Sequence, residues 1–305
     1  TMTFAASVNV IEHVGATPVL CDVEPDTLNI CPKDLERRLT KDVKAIIAVH
    51  YAGHPVDLDP ILQMAKQRGI AIVEDAAHSL PASYKGKSIG SHGNLTAWSF
   101  YATKNITTCE GGMLTGDPKL LERARVLHLH GMSKDAARRY EKGGSWKYEI
   151  LAPGFKYNLT DVASAIGRVQ LRRMGEFQKR RNELAARYTR AFAGIPELQI
   201  PTVRPEVETA HHLYVLRLNL ERLRVDRDEF MRQLADLGIT ASVHFIPIHT
   251  HPFYRDKYGF QPNDFPVAYQ NFLRMMSLPL YSRMEDADID HVIAAVRHLV
   301  AKHRK

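Results

Sequence analysis

The stretch from Lys44 to Asp75 leaves the chain little choice of fold. Ala45 to Val49 is an unbroken apolar run of strand length, and the loop after it holds Gly53 and Pro55. Asp59 stands where a helix N-cap would, with Pro60 in the first helical position, where a missing N–H costs nothing. Ile61, Leu62 and Ala65 give that helix an inward face and Gly69 ends it, ahead of a second short apolar strand from Ile70 to Val73. Two apolar strands around one helix predict a parallel pair, because strands covered on both faces lose the polar alternation of a half-exposed sheet. Ligands in such sheets collect beyond the carboxyl ends of the strands. Glu74, Asp75 and His78 lie at such an end.

Further along, Leu95 to Phe100 reads as another strand, followed by a polar loop to Gly112. A long helical pattern runs from about Thr160 to Phe192, with Thr160 or Asn158 as its cap and Pro196 just beyond its end. Then come a strand (Leu213 to Leu218), a helix (about Asp226 to Leu237), a strand (Ile239 to Phe245) and a loop rich in Pro and His. The last helix places Ile289, Val292, Ile293, Val296, Leu299 and Val300 on one face. This order predicts an α/β protein. A large domain (1–180) would carry a mostly parallel sheet with flanking helices, and a smaller C-terminal α/β domain (181–305) would pack on it. The chain starts at Thr1 directly in a Phe/Ala/Val stretch with no cap or lead-in, so the large domain is expected to be incomplete at its N-terminal side.

A length of 305 residues suits about two domains. No stretch approaches the roughly 20 apolar residues that cross a bilayer, and no secretory leader opens the chain, so a cytoplasmic protein without membrane partners is expected. Three cysteines without CxxC spacing indicate reduced thiols. The net charge of +7 is spread among interleaved acids, which predicts a solvated surface rather than a nucleic-acid interface and suits a small dianionic substrate. His244, His249 and His251 invite a zinc reading, but their HxxxxHxH spacing interleaves with Pro247 and Pro252 and has no carboxylate or thiolate to complete it; no metal is expected.

Two strand-end motifs carry the chemistry: EDAAHS (Glu74 to Ser79) and SFYATKNITTCEGGM (Ser99 to Met113). A carboxylate, a lysine and a serine at the strand ends of one sheet match the needs of pyridoxal phosphate: a pyridinium partner, an aldehyde-trapping amine and a phosphate ligand. Together with HYAGHPVDLDPI (His50 to Ile61), LHGMSKDA (Leu129 to Ala136), PGFKYNLTD (Pro153 to Asp161), SVHFIPIHTHPFY (Ser242 to Tyr254) and SLPLYSRM (Ser277 to Met284), these motifs make the chain resemble the DegT/DnrJ/StrS family of sugar-nucleotide aminotransferases.

The resemblance implies the type I fold of pyridoxal-phosphate-dependent transferases. It implies Lys104 as the catalytic lysine, joined to the cofactor as an imine and shuttling the proton; the plainer reading is a surface lysine. Asp75 would keep the pyridine nitrogen protonated, unless it is a turn cap. His78 would lie beside the ring, or be a structural histidine. Ser99 would donate to the phosphate. Asn158 would reach the phosphate in a neighbouring subunit, implying a homodimer with shared sites, or cap the long helix. The loop with His244 and His249 would contact substrate. The reaction implied is amino transfer from an amino acid, glutamate in the family, to a nucleotide-linked keto-sugar for cell-surface polysaccharide or lipopolysaccharide.

Members of the family carry several dozen further residues before the point where this chain starts, among them a Gly-Thr phosphate-binding segment and an aromatic that stacks on the ring. Other departures are Pro81 in place of a small residue, Asn94 in place of Asp, Cys109 in place of glycine, and His211 in place of Trp. Cys109 is the most consequential, because glycine permits backbone angles that cysteine tolerates poorly. Lys104 argues against a dehydratase of the same family, in which histidine replaces the lysine. A non-catalytic sensor or interaction protein on the same scaffold, or an inactive fragment, is the alternative from another class.

Overall fold

A computed structural model describes residues 1–133 and 147–305; the end of the LHGMSKDA motif lies outside the described residues. The central sheet has four strands, β1 (Ala45–Val49), β2 (Ala71–Asp75), β3 (Leu95–Ser99) and β4 (Gly112–Thr115), side by side in that order. β1, β2 and β3 are parallel and β4 returns antiparallel at the edge. The register sets Val49 opposite Asp75, and Asp75 opposite Ala97.

The crossover helix between β1 and β2 spans Leu58–Arg68, one residue before the expected cap. Asp57 occupies the N-cap position, but its carboxylate accepts from the Tyr84 hydroxyl (2.7 Å) instead of capping the helix. Pro60 still sits in the first turn, where the N–H groups have no partner inside the helix. Leu58, Ile61 and Ala65 are buried against Ile46, Ala48 and Ile72, and Gly69 closes the helix in the left-handed region (φ 64°). Outside β1 lies a cavity of about 930 Å³ whose walls include Val19, Leu20, Cys21, Ile47 and Val49.

The long helix spans Asp161–Phe192. Thr160 caps it by accepting from the Ala163 N–H (3.2 Å), so Asn158 is not the cap. Its buried residues, Arg181, Leu184, Ala185, Tyr188 and Phe192, all lie in its second half, where the last four join a core with Leu216, Phe230 and Val296. An antiparallel sheet of Leu198–Gln199, Tyr214–Leu218 and Met275–Leu278 backs this core, covered by helices Arg227–Asp236 and Asp286–His303.

The strand expected at Ile239 to Phe245 is corrected. Only Ser242 pairs, bridging to Ser277, and the chain then leaves the sheet. The cause is Phe245, whose ring is drawn into the interior near Tyr51 (6.4 Å between centroids) and His78 (5.6 Å), while the Tyr51 hydroxyl donates to the His244 carbonyl. Pro247 then removes a ladder donor. Among the described residues no helix is long and apolar enough to cross a membrane.

The crossover helix is held mainly by its buried face. Truncating Ile61 to alanine is expected to cost about 2–5 kcal/mol, measured as a lower denaturation midpoint; a cost under about 1 kcal/mol would mean that the helix packs loosely.

Candidate active site

The site is built where β2 and β3 end. The side chains of Glu74 and Asp75 point to opposite faces of β2 because strand residues alternate. Glu74 is fully buried. The Val56 N–H donates to His50 Nδ1 (3.1 Å), so the neutral ring carries its proton on Nε2 and donates it to Glu74 Oε2 (3.0 Å). Asn94 Nδ2 donates to the other Glu74 oxygen (2.8 Å). Burial alone would raise the Glu74 pKa, but the hydrogen bonds donated by His50 and the Asn94 amide outweigh it and hold the carboxyl below its ordinary value. Asn94 is thus fitted to its place: a carboxylate there would have no proton to give.

Asp75, half-buried on the other face, accepts from the Ser7 hydroxyl (2.6 Å) and the Ala77 N–H (3.1 Å). Thr3 in turn hydrogen-bonds Ser7 (2.7 Å). Past the strand end His78 is buried, and its Nδ1 has no hydrogen-bond partner. Its ring neighbours both Phe245 (5.6 Å between centroids, 23° between planes) and His212 (4.3 Å). Burial, with Lys104 and His244 adding to it, pushes the His78 pKa far down, so the ring is neutral.

Lys104 follows β3 on a turn closed by its N–H to Tyr101 O (3.0 Å), and the same loop is pinned by Thr108 N–H to Phe100 O and Phe100 N–H to Gly111 O. Burial lowers the Lys104 pKa, against the attraction of Asp75, so more of its amine is uncharged than on an exposed lysine. Ser99 ends β3 opposite Gly112, its hydroxyl oxygen accepting from the Tyr101 N–H (3.3 Å) and its proton left to give. His244 hydrogen-bonds Ser277 (2.9 Å), and burial with Lys104 lowers its pKa as well.

The structure therefore brings Asp75, His78 and Lys104 together, with Ser99 and His244 at the same edge. It does not bring His249 or Asn158 to them. His249 is fully buried, its Nδ1 on the Thr1 hydroxyl (2.8 Å) and its Nε2 on the Pro262 carbonyl (3.2 Å). Asn158 is exposed and accepts from Lys156. Among the described residues no group of three His, Cys, Asp or Glu side chains is placed to hold a metal.

Sequence reading missed Ser7, Asn105, His212 and Phe245, because long-range packing alone makes them neighbours. A signal existed for Gly53, in the HYAGHP motif. Its φ is 95°, and a Cβ there would sit 2.9 Å from the His212 nitrogen and 3.0 Å from the His78 oxygen, so only glycine lets these backbones close on one another.

The model of the DegT/DnrJ/EryC1/StrS aminotransferase family matches residues 1–297. The chain belongs to this family. It is an aminotransferase. The spore coat polysaccharide biosynthesis protein SpsC of Bacillus subtilis is 48% identical over 301 residues, covering 98% of this chain and 77% of that protein. Among solved structures, Spr1654 of Streptococcus pneumoniae, designated a sugar aminotransferase, superposes in its PMP form with a TM-score of 0.91 at 35% identity, covering 99% of this chain and 80% of that one. Its PLP form gives 0.90 at 34%, covering 99% and 79%. The architecture is that of the type I pyridoxal-phosphate-dependent transferases.

Cys109 has a φ of 69° and an exposed side chain, the strained conformation that glycine would relieve. A left-handed L-residue costs about 1–2 kcal/mol, against about 0.5–1 kcal/mol of added chain entropy for glycine. Cys109→Gly is therefore expected to raise the thermal midpoint slightly, and a fall would show that the thiol contributes packing.

Two histidines, His249 buried and His211 half-buried, give stability a pH dependence. Burial lowers His211 and His249 from 6.5 to about 4. Between those values the unfolded chain binds protons that the folded chain refuses, so their contribution is complete above about pH 6.5 and lost as pH falls toward 4. Urea midpoints measured from pH 8 to 4.5 should decline below pH 6.5; a flat profile would contradict the burial.

Proposed function

We propose that this chain transfers an amino group from glutamate to the keto carbon of a nucleotide-linked sugar, in the cytoplasm, supplying amino sugars for cell-surface polysaccharide or lipopolysaccharide. The reading is supported by one observation above all: the amine, carboxylate and buried imidazole converge on the ends of the parallel strands of a single sheet, in a chain of an aminotransferase family. The sugar substrate and the polysaccharide role draw support from what Spr1654 and SpsC are called.

The cofactor is pyridoxal phosphate, and the residues present fit it. When bound, it supplies the electron sink that stabilises a carbanion at the substrate carbon. Lys104 would hold the aldehyde carbon through its amine, which burial keeps partly free of charge. Displaced by substrate, the same amine would take the proton from the reacting carbon and return it. Asp75, its carboxylate steadied by Ser7 and Ala77, would face the pyridine nitrogen and keep its proton in place. His78 would lie against the ring, and its neutrality leaves Asp75 the stronger influence on the nitrogen. Ser99 would donate its hydroxyl to the phosphate. His244 alone of the two loop histidines is left to meet substrate.

The chain would work as a homodimer. Ile150, Leu151, Phe155 and Tyr157 are exposed, with Phe155 and Tyr157 stacked at 4.8 Å. Val162, Ile166 and Val169 continue this face as an exposed stripe at helical spacing. A second copy would cover it, and Asn158, in the middle of the face, would reach the partner's phosphate.

Incubation with pyridoxal phosphate, glutamate and a UDP- or dTDP-linked 4-keto sugar should give an amino sugar and 2-oxoglutarate by mass spectrometry. Lys104→Ala should lower the rate by about 100-fold or more, the scale of a lost proton-transfer group. Amino transfer that survives this substitution would overturn the assignment.

A further inference from the structure

We propose that Asn105 and His212 form a positioning pair for the imidazole that faces the cofactor: Asn105 locks His212 as the Nδ1–H tautomer, and His212 in turn carries the ring of His78. The facing role of His78 rests on the function proposed above; the tautomer does not.

The lock follows from counting donors. Asn105 Nδ2 donates to the Leu80 carbonyl (3.1 Å) and to the Ala210 carbonyl (2.8 Å). Carbonyls only accept, so both amide protons are used and the orientation of the amide is settled. Asn105 Oδ1 then faces His212 Nδ1 at 3.1 Å as an acceptor, and the imidazole must donate from that nitrogen. A neutral ring has one N–H, which leaves Nε2 with its lone pair.

His212 stays neutral for reasons of place. It is buried, and the charged and titratable groups acting on it are His78, Lys104, Arg181 and His244, with no carboxylate among them. Its backbone is held too: Arg181 donates to the carbonyls of His211 (3.1 Å) and His212 (3.3 Å), and Gly53 permits the close approach of the His212 nitrogen. A fixed, uncharged ring therefore stands 4.3 Å from His78, which also neighbours Phe245 at 5.6 Å. The run of contacts from Asn105 through His212 to His78 begins at the residue after Lys104. One amide thus ties the lysine's loop, the EDAAHS loop through Leu80, and the ring that supports His78. An aspartate at position 105 would break this logic: it could not donate to Leu80 or Ala210, and its charge would draw a second proton onto His212.

The test reads the tautomer directly. In the cofactor-free chain labelled with ¹⁵N-histidine, two-bond ¹H–¹⁵N correlations should show His212 protonated at Nδ1 and neutral from pH 6 to 8. In Asn105→Asp, His212 should titrate within that range, a rise of at least one pH unit. With pyridoxal phosphate added, Asn105→Asp and His212→Ala should bind it about tenfold more weakly and change its visible circular dichroism. His212→Phe, which keeps a ring without the donor, should fall between wild type and His212→Ala. Thermal unfolding of each variant confirms that it is folded. A His212 protonated at Nε2, or cofactor affinity and dichroism unchanged in all three variants, would overturn the pair. A wild-type chain that shows the Nδ1–H tautomer and binds no pyridoxal phosphate would instead count against the proposed function.

Discussion

The register of β2 between its neighbours is the constraint from which the site follows. With Asp75 opposite Val49 on one side and Ala97 on the other, Glu74 turns into the protein and Asp75 turns out. A slip of one residue would exchange them, because side chains alternate along a strand. The exchange is costly, since Glu74 is a fully buried carboxylate that survives there only through His50 and Asn94. Moved outward it would leave His50 buried without its acceptor, and Asp75, one methylene shorter, would be drawn into a pocket that is not shaped for it. The buried trio is therefore a register pin, and the accessible carboxylate depends on it.

A second constraint is electrostatic. His78, His212 and His244 surround the lysine, and burial suppresses the charge of each. Charged imidazoles there would repel the ammonium of Lys104 and compete for Asp75. With the rings neutral, the lysine and the carboxylate are left as the charged pair at the site, and the environment lowers the lysine's proton affinity without abolishing its attraction to Asp75. Burial of polar rings is expensive unless they are hydrogen-bonded, and His78 Nδ1 lacks a partner.

Much of this was legible in the sequence. The strand, helix and strand from β1 to β2 follow from apolar runs and a terminating glycine, and the long helix from its period and its Thr160 cap. The left-handed backbone at Cys109 was foreseeable from glycine's usual place there. What escaped was set by contacts distant in sequence. Asp57 and not Asp59 begins the crossover helix, with its carboxylate taken by Tyr84. Ile239 to Phe245 has the composition of a strand, yet Phe245 is more useful packed on Tyr51 and His78 than in a ladder. His249 sits in a motif that suggests substrate contact, and its ring is consumed by Thr1 and Pro262. Local pattern fixes elements; which polar atoms are already spoken for is decided only when the elements meet.

In the proposed site Lys104 and Asp75 would meet the cofactor ring from two strand ends of one sheet. The most direct test of this arrangement is a crystal structure of the chain treated with pyridoxal phosphate and reduced with borohydride. Continuous density from the Nζ of Lys104 to the cofactor is expected, with the pyridine nitrogen hydrogen-bonded to Asp75. Density joined to another lysine, or a ring nitrogen turned away from Asp75, would contradict it.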